Sequence, residues 1–239
     1  IKHIIDSSEC SFEGIKVAID CSNGASSATA GEIFTELGAA VSIINASPDG
    51  KNINRGCGST HIEALGAYVR ENRLDCGAAF DGDADRCIFV DENGKEVDGD
   101  AIMAVCALDL AVRGRLRGNR VVGTVMTNLG FVKFCDAHGI NFTATKVGDR
   151  FVLEEMLLAD CSFGGEPSGH IIFRDHAMTG DGQLTAVQLL SLMKRSGKPL
   201  SELSSVMVPF PQLTVNVPVT PDGKLRFYNY RGAGFTQPP

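Results

Sequence analysis

Residues 81–86 read Asp81-Gly82-Asp83-Ala84-Asp85-Arg86, three carboxylates at alternate positions with an arginine directly after them. The apolar segments at 75–80 and 87–91 flank this stretch, and each predicts a buried strand. Carboxylates two residues apart in an extended segment point to the same side. Because like charges that close repel one another unless a cation lies among them, the stretch predicts a site for a hard divalent metal with oxygen ligands.

Two other interpretations of this acidic stretch compete with that one. A solvated acidic turn between two strands stays open, although the flanking apolar segments and the arginine disfavour it. An EF-hand calcium loop is matched at four acidic positions, namely Asp81, Asp83, Asp85 and Glu92. That motif requires glycine where Arg86 stands and helices on both sides, so the match fails.

Composition argues against several classes of function. The chain has 239 residues and a formal net charge of -7 without a basic block, which argues against nucleic acid as a partner. The longest apolar stretch, 101–112, is too short to span a bilayer and no signal-peptide pattern is visible, so no membrane contact is expected. The eight cysteines are scattered without a CxxC pair, which predicts buried thiols in a reducing compartment, the cytoplasm.

Apolar strands alternate with helix patterns twice along the chain. The predicted strands lie at 15–20, 41–44, 75–80, 87–91, 121–125, 140–145 and 213–217. This alternation predicts the α/β class, with two consecutive three-layer α/β/α domains whose sheets are mixed and mostly parallel. We place the domains at 1–98 and 99–220, and 221–239 is left as a tail of unknown structure. Loops at the carboxyl ends of such strands are where α/β sheets bind ligands, and the acidic stretch is one of them.

Two loops of the second domain also carry chemistry. Lys146-Val147-Gly148-Asp149-Arg150 offers two cations and a carboxylate where a phosphate or polyol could bind, although Asp149 could equally cap the helix that follows. Gly164-Gly165-Glu166-Pro167-Ser168-Gly169-His170 holds a Glu, a Ser and a His on a tight turn. That set suits hydroxyl recognition with a proton-transfer group, whereas a lone histidine is more often structural.

Four motifs together resemble a known family. DGDADR (81–86), KVGDR (146–150), GGEPSGH (164–170) and TGDG (179–182) stand in the order found in the α-D-phosphohexomutase superfamily. The segment NINRGCGSTH at 52–61 looks most like its bacterial phosphoglucosamine mutase branch. The resemblance covers residues 12 to about 217 and only the second and third of the family's four domains. One departure is Pro167, where the family pattern has Gln or Met and where proline stiffens the loop.

The resemblance implies a role for each candidate residue. Mg2+ would be bound by Asp81, Asp83 and Asp85. Arg86 and His170 would be catalytic, the arginine facing the phosphoryl group and the histidine serving as acid and base. The substrate-binding residues would be Lys146, Asp149, Arg150, Glu166 and Ser168. The reaction so implied interconverts glucosamine 6-phosphate and glucosamine 1-phosphate through a phosphoserine and a bisphosphate intermediate.

The resemblance also implies partners. The family's first domain carries the phosphoryl-bearing serine and its fourth grips the substrate phosphate, and neither pattern is found here. The chain begins with Ile1 and both ends look cut, so we expect a fragment that is inactive alone and needs those two domains. A homodimer stays open. The rival interpretations are a fragment of a phosphomannomutase/phosphoglucomutase and a non-catalytic module that binds metal or sugar phosphate.

Overall fold

The computed structural model describes residues 1–213, so the predicted strand at 213–217 lies almost wholly outside the described residues and the 221–239 tail lies outside them entirely. The first α/β unit ends in a small antiparallel hairpin. Its elements are α1 (Lys2–Asp6), β1 (Lys16–Asp20), α2 (Ala30–Glu36), β2 (Ala40–Ile44), α3 (Glu63–Asn72), β3 (Cys76–Phe80), β4 (Cys87–Asp91) and β5 (Glu96–Val97).

The first sheet has the strand order β2-β1-β3-β4-β5. Strands β1, β2 and β3 run parallel, whereas β4 and β5 are antiparallel to their neighbours. All five residues of β3 and of β4 are buried, because helices cover both faces of the sheet, and this explains their unbroken apolar sequences. Two of the four strand pairings are antiparallel, so the first sheet is mixed without being mostly parallel.

The second unit begins directly after the hairpin. Its elements are α4 (Gly99–Val112), β6 (Arg120–Thr124), α5 (Leu129–His138), β7 (Asn141–Thr145), α6 (Asp149–Leu158), β8 (Phe163–Gly165), β9 (Ile171–Phe173), α7 (Gly182–Ser196) and α8 (Leu200–Ser204). The sheet order is β7-β6-β8-β9, with β9 antiparallel to β8 and the other pairs parallel. The prediction of two α/β/α units with mixed sheets is confirmed.

The two sheets share one topology although no sequence repeat is detectable. Strands β2-β1-β3-β4 of the first unit correspond in order and direction to β7-β6-β8-β9 of the second. The acidic loop, which we define as residues 81–86, joins β3 to β4, and the glycine-rich turn, residues 166–170, joins β8 to β9. The two candidate loops therefore occupy equivalent positions, each at the carboxyl end of a strand, β3 in the first sheet and β8 in the second.

The largest of three hydrophobic clusters in the described residues runs through both units. One cluster of buried side chains includes Phe34 and Phe89 from the first unit, Phe131 and Phe163 from the second, and Leu190 of α7. Helix α7 packs against β3 and β4 as well as against β9, so it lies between the two sheets. The sequence predicts one apolar stripe on this helix, formed by Leu184, Val187, Leu190 and Met193. Its position between the sheets buries nearly every residue from the start of the helix to Met193.

Three long helices begin at capping side chains. Asp98 accepts a hydrogen bond from the Ala101 N–H at the start of α4, and Asn128 and Asp181 do the same at the starts of α5 and α7. All eight cysteines are free thiols and seven are buried, as expected for small apolar residues. Among the described residues, no helix combines the length and hydropathy needed to cross a bilayer.

Candidate functional site

The acidic loop is a turn, not an extended segment. Ala84 has a positive φ of 65°, and its N–H donates to the carbonyl of Asp81 over 3.1 Å. The expectation that strand alternation aligns the three carboxylates is therefore wrong, because a turn gathers them instead. One ligand oxygen from each of Asp81, Asp83 and Asp85 lies within 4.8 Å of the others.

Crowding and burial leave these carboxylates short of partners. Burial, together with the charges of Asp85 and Asp83, raises the pKa of Asp81 to about 6, although the Arg86 N–H opposes this rise. The Arg86 Nε lies 3.6 Å from Asp81 Oδ2 and 3.6 Å from Asp85 Oδ1, so one guanidinium offsets part of the charge. Asp85 Oδ1 is nevertheless buried without a hydrogen-bond partner among the described residues.

This donor set fits a hard cation such as Mg2+. Carboxylate oxygens are its preferred ligands, and two ligands on opposite sides of the ion lie roughly 4 Å apart, close to the spacing available here. A buried carboxylate oxygen without a hydrogen bond is costly, and a bound cation would remove that cost. Asp81, Asp83 and Asp85 can therefore hold the ion, each through one oxygen.

Three backbone hydrogen bonds connect the acidic loop and the residue after it to both units. The carbonyl of Gly82 accepts from Ala25 N–H over 2.9 Å, in the turn after β1. The carbonyl of Ala84 accepts from Gly182 N–H over 2.9 Å, and Cys87 N–H donates to Gly169 over 3.0 Å. The loop therefore lies at the boundary of the two units, and its shape depends on both.

Glycine is required where these turns meet the acidic loop. A Cβ on Gly182 would clash with the carbonyls of Arg86 and Ala84, and a Cβ on Gly24 would clash with the carbonyl of Gly82. A Cβ on Gly169 would collide with the Cys87 carbonyl. The structure thus explains the TGDG motif as packing that supports the acidic loop, a role that sequence reasoning did not assign.

The long loop at 45–61 packs against the acidic loop. Ile53 and Asn54 approach Gly82 so closely that a Cβ there would clash with both side chains. Asn54 N–H donates to the carbonyl of Ser22, and Gly58 N–H donates over 3.0 Å to the buried carboxylate of Asp20. The NINRGCGSTH segment shows only a family likeness in the sequence, and no local pattern in it signals this contact.

The glycine-rich turn is tied to the KVGDR loop. Glu166 N–H donates to the carbonyl of His170 over 2.9 Å, which closes the turn, and Glu166 Oε1 accepts from Gly148 N–H over 3.0 Å. Gly99 N–H, at the start of α4, donates to the carbonyl of Pro167. The second carboxylate oxygen of Glu166 and the exposed Ser168 hydroxyl remain available to a ligand.

His170 lies beneath this turn and is 3% exposed. Its Nδ1 is 3.1 Å from Asp85 Oδ2, and its Nε2 is 3.1 Å from Gly180 N–H, so both ring nitrogens are engaged. The structure therefore brings the predicted acid/base residue into contact with a predicted metal ligand. Proton exchange with a substrate stays a prediction that this geometry does not favour.

The KVGDR loop is exposed. The Lys146 ammonium lies 5.7 Å from the centre of the Phe151 ring. Asp149 is the first residue of α6 and follows the capping position, which Gly148 occupies, so it is not the helix cap. Arg150 is 80% exposed and donates to Glu154 over 2.7 Å, along the helix surface. Of the predicted cations, Lys146 has no carboxylate partner among the described residues.

Two family models match the chain. The model of domain II of phosphoglucomutase/phosphomannomutase matches residues 1–94, and the model of its α/β/α domain III matches residues 98–210. Both matches fall on the two sheets described above, and together they span most of the chain.

Curated relatives give the same family. A phosphoglucosamine mutase of Brevibacillus brevis is 54% identical over 214 residues, which are 90% of this chain and 48% of the relative. One of Anoxybacillus flavithermus is 57% identical over 209 residues, 87% of this chain and 47% of the relative. The chain thus spans about half the length of the curated relatives it matches.

Solved structures share the fold. A phosphoglucomutase/phosphomannomutase family protein of Burkholderia thailandensis superposes with a TM-score of 0.77 at 23% identity, covering 86% of this chain and 45% of that one. An Aspergillus fumigatus N-acetylphosphoglucosamine mutase, solved with GlcNAc-6P and magnesium, gives 0.67 at 18% identity, covering 88% and 52%. The two family models and the curated relatives show that the chain belongs to the phosphoglucomutase/phosphomannomutase family and comprises its domains II and III.

Proposed function

We propose that this chain is the metal-binding and sugar-binding half of a phosphoglucosamine mutase, which interconverts glucosamine 6-phosphate and glucosamine 1-phosphate. Relatives with that name share 51–57% of the aligned residues. The observation that carries the proposal is the cluster of three carboxylates, each with an oxygen within 4.8 Å of the others. Asp85 in this cluster also has a buried oxygen without a hydrogen-bond partner among the described residues.

In this proposal Asp81, Asp83 and Asp85 hold Mg2+. When bound there, the ion would supply positive charge that offsets the negative charge of a phosphoryl group in transfer. Arg86 contributes a guanidinium that lies beside the same carboxylates, and its N–H donors other than Nε can bind phosphoryl oxygens. A cation held by the three carboxylates would therefore lie beside Arg86, and both could face the same phosphoryl group.

The sugar is bound by the glycine-rich turn. Glu166 has one oxygen committed to Gly148 and a second that can accept a hydrogen bond from a sugar hydroxyl. Ser168 is exposed beside it and can donate or accept. The contact with Gly148 joins this turn to the KVGDR loop. Lys146 and the start of α6, which carries Asp149 and Arg150, therefore lie on the same side of the site as the turn. The Lys146 ammonium would pair with the substrate phosphate.

The phosphoryl carrier lies outside the two domains in this proposal. A serine-bearing domain would deliver the phosphoryl group to the acidic loop, and a further domain would grip the distal phosphate. The intermediate would be a sugar bisphosphate that reverses its orientation between two transfers. Neither step can occur on the isolated chain, so turnover of glucosamine 6-phosphate by the purified 239-residue protein would contradict the proposal.

A domain-exchange experiment tests the function. Residues 1–213 would replace the matching segment of the Brevibacillus brevis phosphoglucosamine mutase, which is 54% identical to this chain. The chimera would be assayed with glucosamine 6-phosphate, glucose 6-phosphate and mannose 6-phosphate. We expect glucosamine 6-phosphate to give the highest kcat/KM, and activity to require Mg2+.

Matched variants separate binding from folding. Asp83→Asn in the chimera removes one metal ligand from an exposed position and should reduce kcat by at least about a hundredfold. Asp136→Asn, the same change at an exposed helical position far along the chain, should leave kcat unchanged. A folded chimera that prefers glucose or mannose phosphate would favour the phosphoglucomutase/phosphomannomutase alternative. A folded chimera that binds metal and sugar phosphate without turnover would favour the binding-module alternative.

A further inference from the structure

His170 occupies a position that fixes its protonation pattern. Its ring is buried between the glycine-rich turn and the TGDG segment, at the boundary of the two units. The backbone N–H of Gly180 can only donate, so Nε2 must accept and carries a lone pair. A neutral ring with an unprotonated Nε2 has its proton on Nδ1, and that N–H faces Asp85 Oδ2 at 3.1 Å.

Gly180 makes this arrangement sterically possible. A Cβ at that position would clash with three atoms of the imidazole ring, including Nε2. Only glycine lets the backbone approach closely enough to donate to the ring. The same ring therefore has one nitrogen held by a backbone group, one nitrogen directed at Asp85, and 3% of its surface exposed.

We propose that His170 is a positioning residue that orients Asp85 as a metal ligand, and that Gly180 fixes the tautomer required for this. The inference rests on the proposed metal site. Donation from Nδ1 occupies Asp85 Oδ2 and leaves Oδ1, which is buried without a hydrogen bond from any described residue, as the oxygen for the cation. Metal-binding carboxylates are commonly oriented in this way by a second hydrogen-bonding group.

This role connects the two candidate loops. His170 is the last residue of the glycine-rich turn, and its carbonyl closes that turn by accepting from Glu166 N–H. The hairpin that presents Glu166 and Ser168 to a ligand thus also orients Asp85 in the acidic loop. Precise orientation matters because removing a hydrogen bond that orients a metal ligand lowers metal affinity about 10–100-fold.

Two substitutions at position 170 distinguish the two ring nitrogens. Asparagine can place its amide N–H near the former Nδ1 position and so keep the contact with Asp85, whereas glutamine reaches toward the Nε2 position and loses it. Mn2+ binding to the 239-residue chain, followed by electron paramagnetic resonance, is the measurement. We expect His170→Gln to weaken Mn2+ binding about 10–100-fold and His170→Asn to retain most of the affinity.

Gly180→Ala provides a test that leaves the imidazole intact. It displaces the ring and should also weaken Mn2+ binding, whereas Gly31→Ala, where an added Cβ has no atom within 4 Å, should not. Far-UV circular dichroism of each variant establishes that it is folded. Equal Mn2+ affinities in the wild type, His170→Asn and His170→Gln would overturn the positioning role alone.

The tautomer gives a readout independent of metal. Nitrogen-15 NMR of the histidine side chains in the metal-free chain should show His170 with a protonated Nδ1 and an unprotonated Nε2. The opposite tautomer would overturn the inference, since Nδ1 could not then donate to Asp85. Absence of Mn2+ binding by the wild-type chain would instead overturn the proposed metal site, and with it the function of the contact.

Discussion

Asp100 is a buried carboxylate whose charge should limit the stability of the protein above neutral pH. It lies in the first turn of α4 and is 1% exposed. Its Oδ2 accepts from Asn128 N–H over 2.7 Å, while Oδ1 has no partner among the described residues. Burial and the nearby charge of Asp98 raise its pKa to about 7, although the Asn128 hydrogen bond opposes this.

The sign and size of the effect follow from linkage. The folded chain binds this proton more tightly than the unfolded chain, where the carboxyl has its ordinary pKa of 3.8. The free energy of unfolding therefore decreases as pH rises from about 4 to about 7 and is flat above that. The rise in pKa from 3.8 to about 7 corresponds to about 4 kcal/mol of stability. This value is an upper limit, because the folded chain can relax around the charge.

Asp100→Asn removes the charge and keeps an oxygen that can accept from Asn128. We expect the variant to match the wild type near pH 4 and to exceed its free energy of unfolding by about 2–4 kcal/mol near pH 8. Urea unfolding followed by far-UV circular dichroism measures this, since the chain has no tryptophan for fluorescence.

The control is Asp136→Asn, the same substitution at an exposed position of α5. Its effect on the free energy of unfolding should be small and the same at both pH values. If Asp100→Asn changed stability equally near pH 4 and near pH 8, the carboxyl would not be protonated in the folded chain, and the reasoning from its burial would be refuted.

Three further predictions concern the site and its supports. Mn2+ affinity should fall about tenfold for each unit of pH below about 6, where Asp81 takes up a proton; a flat profile from equilibrium titration would contradict this. Gly182→Ala should cost about 1–3 kcal/mol in urea unfolding and weaken Mn2+ binding, whereas Gly31→Ala should gain up to about 1 kcal/mol. Glu9→Gln, which loses ion pairs with three arginines, should cost at most about 1 kcal/mol, and less in high salt; a larger loss would show a buried contact.

The local sequence accounts for the elements that carry the site. Unbroken apolar segments predict β3 and β4, because a strand that is buried on both faces needs no polar residues at alternate positions. Asn93-Gly94 predicts the turn between β4 and β5, and Gly94 does adopt a positive φ of 73°. The alternation of strand and helix patterns predicts the two α/β units, and the four motifs identify the family.

The local sequence misleads where backbone shape depends on packing. Alternate carboxylates suggest an extended segment, but Ala84 takes a left-handed conformation, held there by contacts with Gly182 and with the turn after β1. The predicted single apolar stripe of α7 likewise does not reveal that both faces are buried, since its second face packs on the other unit.

The sequence by itself determined the α/β class, six of the nine strands in the described part of the chain, and the set of carboxylates that can bind a metal. The short strands β5, β8 and β9 were not predicted. Only the tertiary structure decided that His170 contacts Asp85, that Gly180 holds the ring, and that Glu166 joins Gly148. The physical reason is the range of the interactions. Periodicity and turn propensity report on neighbours within a few residues, whereas Asp85 and His170 are 85 residues apart and meet because one continuous core packs the two units together.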